Sequence, residues 1–324
     1  MRNRVSIIMY HYVRDLKQGR FRAIKGLDID MFKGQIQYLV KNYNVITMDE
    51  LINSVDHNTP LPPKAVLLSF DDGYNDHFDS VFPVLSKHKI QGSFYPSAKI
   101  ILNNEVLDVN KIHFILATVE DKSILVNEIF HKLDEYRKVY GLDDNETYFS
   151  TYAIAGRYDS KEVIFIKRML QVVLAKELRK IICDHLFSKY VTTDEPSFSS
   201  ELYMSVDKIK HLRSEGMHIG SHGHDHYWLG SLSKEKQEYE IDRSMEFLEM
   251  AGCDMKRWTM CYPYGNYNND TLDILQTKAC KLALTTRIDI ATIGEDHRYT
   301  LPRLDTNDIP TTENADRNKW YVEA

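Results

Sequence analysis

The chain has 324 residues, 43% hydrophobic and 27% charged, a composition ordinary for a soluble globular protein and long enough for one large domain carrying an insertion. Its formal net charge of -6 argues against nucleic acid as the main partner, because phosphate binding leaves a basic footprint. No apolar run approaches the roughly 18 residues a membrane span requires, so no membrane span is expected.

In chain order, residues 5–10 read as a strand, 31–41 as a helix, and 65–70 as a fully buried strand running into Asp71-Asp72-Gly73. Pro60, Pro62 and Pro63 mark the loop before that buried strand. A helix follows over 78–87 and a strand over 92–95, an alternation that implies an α/β fold with a parallel sheet. From 103 the pattern changes: 106–119, 123–139 and 161–187 carry apolar residues at helical spacing, with a polar loop at 143–146. Strand–helix alternation resumes with 206–214, 217–221, 232–250, 260–262, 271–278 and 282–285. The expected organisation is therefore a discontinuous α/β domain, 1–102 and 203–324, interrupted by a helical insertion at 103–202.

Three segments carry chemistry. The strand ending in Asp71-Asp72 delivers two adjacent carboxylates to the C-terminal edge of a parallel sheet, where active sites collect; Asp-Asp-Gly is equally good turn chemistry. Another short apolar strand, 217–219, leads into His222-Gly223-His224-Asp225-His226. In extended chain the three histidines would point one way, whereas in a helical turn His222 and His226 would share a face at i,i+4. Imidazole and carboxylate together make a zinc-type donor set. The third segment, Cys261-Tyr262-Pro263-Tyr264-Gly265, is a rigid loop whose backbone N–H groups can be aimed at a developing oxyanion; a turn with aromatic packing fits it as well.

Taken together and in this order, the three segments resemble the polysaccharide deacetylase family, also called the NodB-homology or carbohydrate esterase family 4 domain. The matching residues are Ser69-Phe70-Asp71-Asp72-Gly73, the His222 and His226 pair, and the Cys261 to Gly265 loop. The resemblance implies a distorted (β/α) barrel and one divalent metal ion, zinc being the expected one, held by Asp72, His222 and His226. It further implies Asp71 as general base and the Tyr264 backbone N–H as an oxyanion donor. Two positions depart from the pattern: Gly223 replaces a Ser or Thr, and Cys261 replaces the arginine that orients the catalytic aspartate. The start Met9-Tyr10-His11-Tyr12-Val13 is similar to a permuted subgroup that includes poly-N-acetylglucosamine deacetylases, which makes His11 the expected general acid. Arg303 is a candidate replacement for the missing arginine, and His297 reads as part of a surface turn.

The expected function is metal-dependent removal of an N-acetyl group from an amino sugar, in a glycan or sugar intermediate of bacterial surface-polysaccharide synthesis. A non-catalytic carbohydrate-binding protein on the same fold and a metal hydrolase acting on a non-sugar amide or ester are the alternatives. Trp228, Tyr264 and Tyr267 offer rings for sugar stacking or for plain packing. The apolar stretch 5–9 is too short for a signal sequence, and Cys183, Cys253, Cys261 and Cys280 contain no C-x-x-C pair, so reduced thiols and a cytoplasmic location are expected.

Overall fold

The computed structural model describes residues 3–156 and 159–321. They form two compact units, one of Met1–Asp15, Gly26–Asn104 and Ser200–Ala324, the other of Leu16–Lys25 and Glu105–Ser199.

The first unit is built on parallel strands. Ala65–Asp71 is buried at every position, which suits its near-continuous apolar sequence to the middle of a parallel sheet. It pairs with Arg4–Tyr10 on one side, in register from Val5 with Ala65 to Tyr10 with Phe70, and with Ser93–Tyr95 on the other. His218–Ile219 continues the sheet, and a parallel bridge from Ser221 to Met260 leads to the pair Met260–Cys261 and Ala283–Leu284. A bridge from Leu284 to Leu301 then leads to Leu304–Asp305, which pairs with Arg4–Tyr10. The path returns to its starting strand, so the unit is a (β/α) barrel, distorted because two junctions are single bridges. This agrees with the fold class expected from sequence.

Strand alternation decides what fills the barrel. Val5, Ile7, Ala65, Leu67, Tyr95, Cys261, Leu284 and Leu301 belong to one buried cluster. Asp71 lies two pleats beyond Leu67 on the same face, so the strand that builds the core aims this carboxylate at the C-terminal mouth. Helices cover the outside. Ile29–Asn42 is capped by Asp28 and buries Phe32, Ile36 and Leu39, and Met48–His57 starts with a Thr47/Glu50 capping box.

The second unit is helical: Asp108–Thr118, Lys122–Tyr140, Lys161–Arg168 and Lys176–Tyr190 contribute Ile112, Leu125, Ile129, Leu133, Phe165, Leu178 and Ile182 to its interior, and Asn145–Tyr152 adds a helix with no buried residue. The helix expected over 161–187 is interrupted. A π turn at Met169–Val173 ends in extended Leu174, and a new helix begins at Lys176. Ile166, Leu170, Leu174, Leu178 and Ile182 are spaced four apart throughout, so the apolar repeat runs across the break and hides it. The expected polar loop at 143–146 supplies a helix start, with the Asp144 carboxylate accepting from the Thr147 N–H. Leu16–Lys25, read from sequence as part of the barrel, packs in the helical unit: Phe21 lies against Phe114 and Phe198, and Arg20 donates to the Val191 carbonyl. Among the described residues no helix is long and apolar enough to cross a membrane.

Candidate active site

The Ala65–Asp71 strand ends in two consecutive left-handed residues, Asp72 at φ 72° and Gly73 at φ 73°. A side chain at Gly73 would put its Cβ 2.8 Å from that of Pro96, so glycine is required there. The reversal separates the two carboxylates. Asp71 stays in the barrel mouth, while Asp72 turns to accept from the Tyr74 hydroxyl at 2.5 Å through Oδ2.

Asp72 Oδ1 is buried and has no hydrogen-bond partner among the described residues. The Nε2 atoms of His222 and His226 each stand 3.3 Å from it, and one donor atom from each of the three residues lies within 4.8 Å of the others. His222 Nδ1 donates to the Cys261 carbonyl at 2.8 Å, which leaves the lone pair of its Nε2 facing the carboxylate when the ring is neutral. Burial disfavours charge on both rings. It prevails at His226, lowering its pKa, while at His222 the contacts with Cys261 and Asp72 prevail and raise it. A single proton can bridge Asp72 to one ring only. A divalent cation would satisfy all three donors, and two imidazoles with one carboxylate are a zinc-type set.

The histidine segment is neither of the conformations considered from sequence. It is a loop that turns at Gly223 (φ 73°) and again at His226 (φ 57°), bringing the two imidazole centroids to 4.9 Å. Gly223, where the family pattern has Ser or Thr, adopts a conformation that glycine tolerates best, and its N–H donates to Ser221 Oγ. His224 points elsewhere, its ring against Tyr239 on the Lys234–Met250 helix.

Asp71 is held by Arg303 in a two-pronged ion pair, Nη1 to Oδ1 at 2.9 Å and Nη2 to Oδ2 at 2.8 Å. Arg303 is itself fully buried and fixed by the Thr285 carbonyl and Ser69 Oγ. Burial pushes the Asp71 carboxyl up, but the Arg303 charge outweighs it and the pKa settles at about 2. Cys261 occupies the position expected for an arginine, and its thiol lies 3.4 Å from Asp71 Oδ2. The guanidinium thus comes from a different segment, the residue that precedes the Leu304–Asp305 strand.

His11 follows the first strand with its Nε2 3.9 Å from Asp71 Oδ2 and its side chain 43% exposed. Its carbonyl accepts from Nε2 of His77, a fully buried histidine that burial holds down to about 4 and hence neutral. Tyr264 sits in the Pro263–Gly265 turn at φ 57°, its ring 4.7 Å from His226 and stacked at 4.6 Å on the partly exposed Trp228. Gly265 cannot be replaced without strain, because a Cβ would lie 2.1 Å from Thr286 Oγ1 at φ 66°.

The structure therefore gathers His11, Asp71, Asp72, His222, His226 and Tyr264 around one mouth. His297, in contrast, is exposed. The sequence does not single out Tyr74 or His77, which hydrogen-bond Asp72 and the His11 carbonyl, or Glu240, which holds the amides of the loop between His222 and His226. Only Tyr74, next to the Asp-Asp-Gly turn, carried a local signal.

The polysaccharide deacetylase family model matches residues 58–122 and 151–283, and the chain belongs to that family. A curated relative is YxkH of Bacillus subtilis (strain 168), described as a candidate polysaccharide deacetylase. It is 26% identical over 99 residues, 30% of this chain and 33% of that protein. Among solved structures, the deacetylase PplD of Streptococcus pyogenes, in complex with acetate, superposes with a TM-score of 0.59 at 16% identity, covering 97% of this chain and 95% of its own. IcaB from Ammonifex degensii superposes with a TM-score of 0.57 at 18% identity, covering 94% and 92%. These likenesses establish a shared fold.

Proposed function

We propose that the protein removes an N-acetyl or other small N-acyl group from an amino sugar by hydrolysis, with one divalent cation, zinc being the expected ion, held by Asp72, His222 and His226. The observation that carries this reading is the unpartnered Asp72 Oδ1 facing the two imidazole Nε2 atoms. A cation bound there supplies Lewis acidity, polarising the acyl carbonyl and lowering the pKa of a water towards about 7.

The remaining steps belong to the protein. Asp71 takes the proton of the attacking water at Oδ2, which lies 3.9 Å from His11 Nε2. With a pKa of about 2 it is a weak base, so its part rests on the fixed geometry that Arg303 imposes. The Tyr264 backbone N–H donates to the developing oxyanion. His11 delivers a proton from Nε2 to the amine nitrogen as the C–N bond breaks, releasing acetate and a free amine. The Trp228–Tyr264 stack offers the sugar ring a flat apolar face.

The acetate bound to PplD and the polysaccharide deacetylase family support this substrate class. We place the substrate among glycans or sugar intermediates of bacterial surface-polysaccharide synthesis, and the protein in the cytoplasm. The four cysteines, all free thiols, support a reducing compartment. The test is acetate release from N-acetylglucosamine oligomers by the zinc-loaded protein. Release by wild type, reduced at least ~100-fold in Asp71→Asn, is expected; no release from any N-acylated amino sugar would overturn the reading.

A further inference from the structure

The loop between His222 and His226 is held from two sides. On one, the first backbone N–H groups of the Ala98–Asn103 helix, those of Ala98 and Lys99, donate to the carbonyls of Gly223 and His224 at 3.1 Å each. On the other lies the Lys234–Met250 helix. From it, Glu240 Oε2 accepts from the N–H of His224 at 3.1 Å and from the N–H of Asp225 at 2.7 Å. One turn later on the same face, Ser244 Oγ accepts from Ser221 Oγ at 2.7 Å. Glu240 is only 2% exposed.

A buried carboxylate is costly, and burial raises the Glu240 pKa to about 7; the two consecutive backbone N–H groups donating to one oxygen offset part of that cost. The consequence is geometric. Those two residues lie between the left-handed Gly223 and the left-handed His226, the two points where the loop reverses. Fixing their peptide planes fixes the direction in which the chain enters His226, and so the distance between its Nε2 and that of His222. With the amides released, the loop would have a choice of conformations in which the two rings no longer converge on Asp72.

We propose that Glu240 is a positioning residue for the metal centre, acting through the His224 and Asp225 amides to preset the two imidazoles. This rests on the assignment of Asp72, His222 and His226 as ligands. Loss of such a supporting contact typically costs about 10–100-fold in metal affinity.

The experiment is competition for Zn2+ between the 324-residue chain and a chromophoric chelator, run on wild type, Glu240→Gln, Glu240→Asp, Glu240→Ala and His222→Ala, with thermal melts of each metal-free variant. Gln keeps a carbonyl acceptor at the same reach and is expected to bind within about threefold of wild type. Asp keeps the carboxyl group but withdraws the acceptor, and with Ala it is expected to bind about 10–100-fold more weakly. Should Ala fail to fold, the Asp variant decides. Wild-type affinity in Asp, or a loss in Gln as large as in Asp, would overturn the role of Glu240 while leaving the ligand set intact. A wild type that binds no Zn2+, or no more tightly than His222→Ala, would overturn the metal centre itself.

Discussion

Burial alone would push the Asp71 carboxyl towards neutrality, and the paired Arg303 guanidinium reverses that. Removing Arg303 while preserving its volume, as in Arg303→Met, leaves a buried carboxylate without its counter-charge. Acetate release is expected to fall by about 100-fold or more, with Arg303→Lys recovering part of it, since a lysine keeps the charge but not the two-pronged geometry. If His11 protonates the leaving group as proposed, His11→Ala is expected to lower kcat by about 100–10,000-fold with a smaller change in KM, because that role bears on the chemical step and not on binding. Steady-state kinetics on an N-acetylated oligomer checks both. Asp71, Asp72, His222 and His226 were legible in the sequence because each sits within a few residues of an apolar strand that announces where it will emerge. Arg303 was legible only as a candidate, since its partner lies 232 residues away in the chain. Glu240 and His77 were not legible at all: each sits on a helix that reads as ordinary surface or core, and its contact with the site exists only once the barrel is closed.

At the level of elements, tight turns at strand ends do the placing. The Pro263–Gly265 turn presents Tyr264 beside His226, and it can do so only because Gly265 lets the backbone pass close to Thr286. Gly265→Ala is expected to cost about 1–3 kcal/mol of stability and to reduce acetate release at least ~10-fold while leaving zinc stoichiometry unchanged. Thermal melts and metal analysis of the variant separate these effects. Strand–helix alternation in the first hundred residues was legible because buried parallel strands are almost purely apolar. The histidine loop was not, because its two left-handed residues are set by contacts with two helices and by no local periodicity. The break at Leu174 was missed for the opposite reason, a periodicity that continues where the hydrogen bonding does not.

For the whole molecule, closing the barrel buries titratable groups away from the mouth as well as in it. His77 is fully buried and His218 partly buried, and desolvation holds both at about 4, below the usual 6.5. The unfolded chain takes up protons below about 6.5 while the folded protein stays neutral at these rings until about 4. Their stabilisation is therefore complete above about pH 6.5 and lost as pH falls towards 4, on the order of 3 kcal/mol each. Asp71, with its pKa lowered, adds a further loss only between about pH 4 and 2. The metal-free protein is expected to lose melting temperature steeply between about pH 7 and 4.5, and His218→Phe is expected to flatten that slope. A slope unchanged by the substitution would contradict the assignment of His218 as a ring held neutral by the fold. On the proposed function, a cation at Asp72, His222 and His226 is needed for N-deacetylation. The most direct test of that claim is acetate release from N-acetylglucosamine oligomers, measured after chelator treatment and during stepwise return of Zn2+. Activity absent from the stripped protein and restored in full at one equivalent is the expected result; undiminished activity in protein shown to be metal-free would contradict the claim.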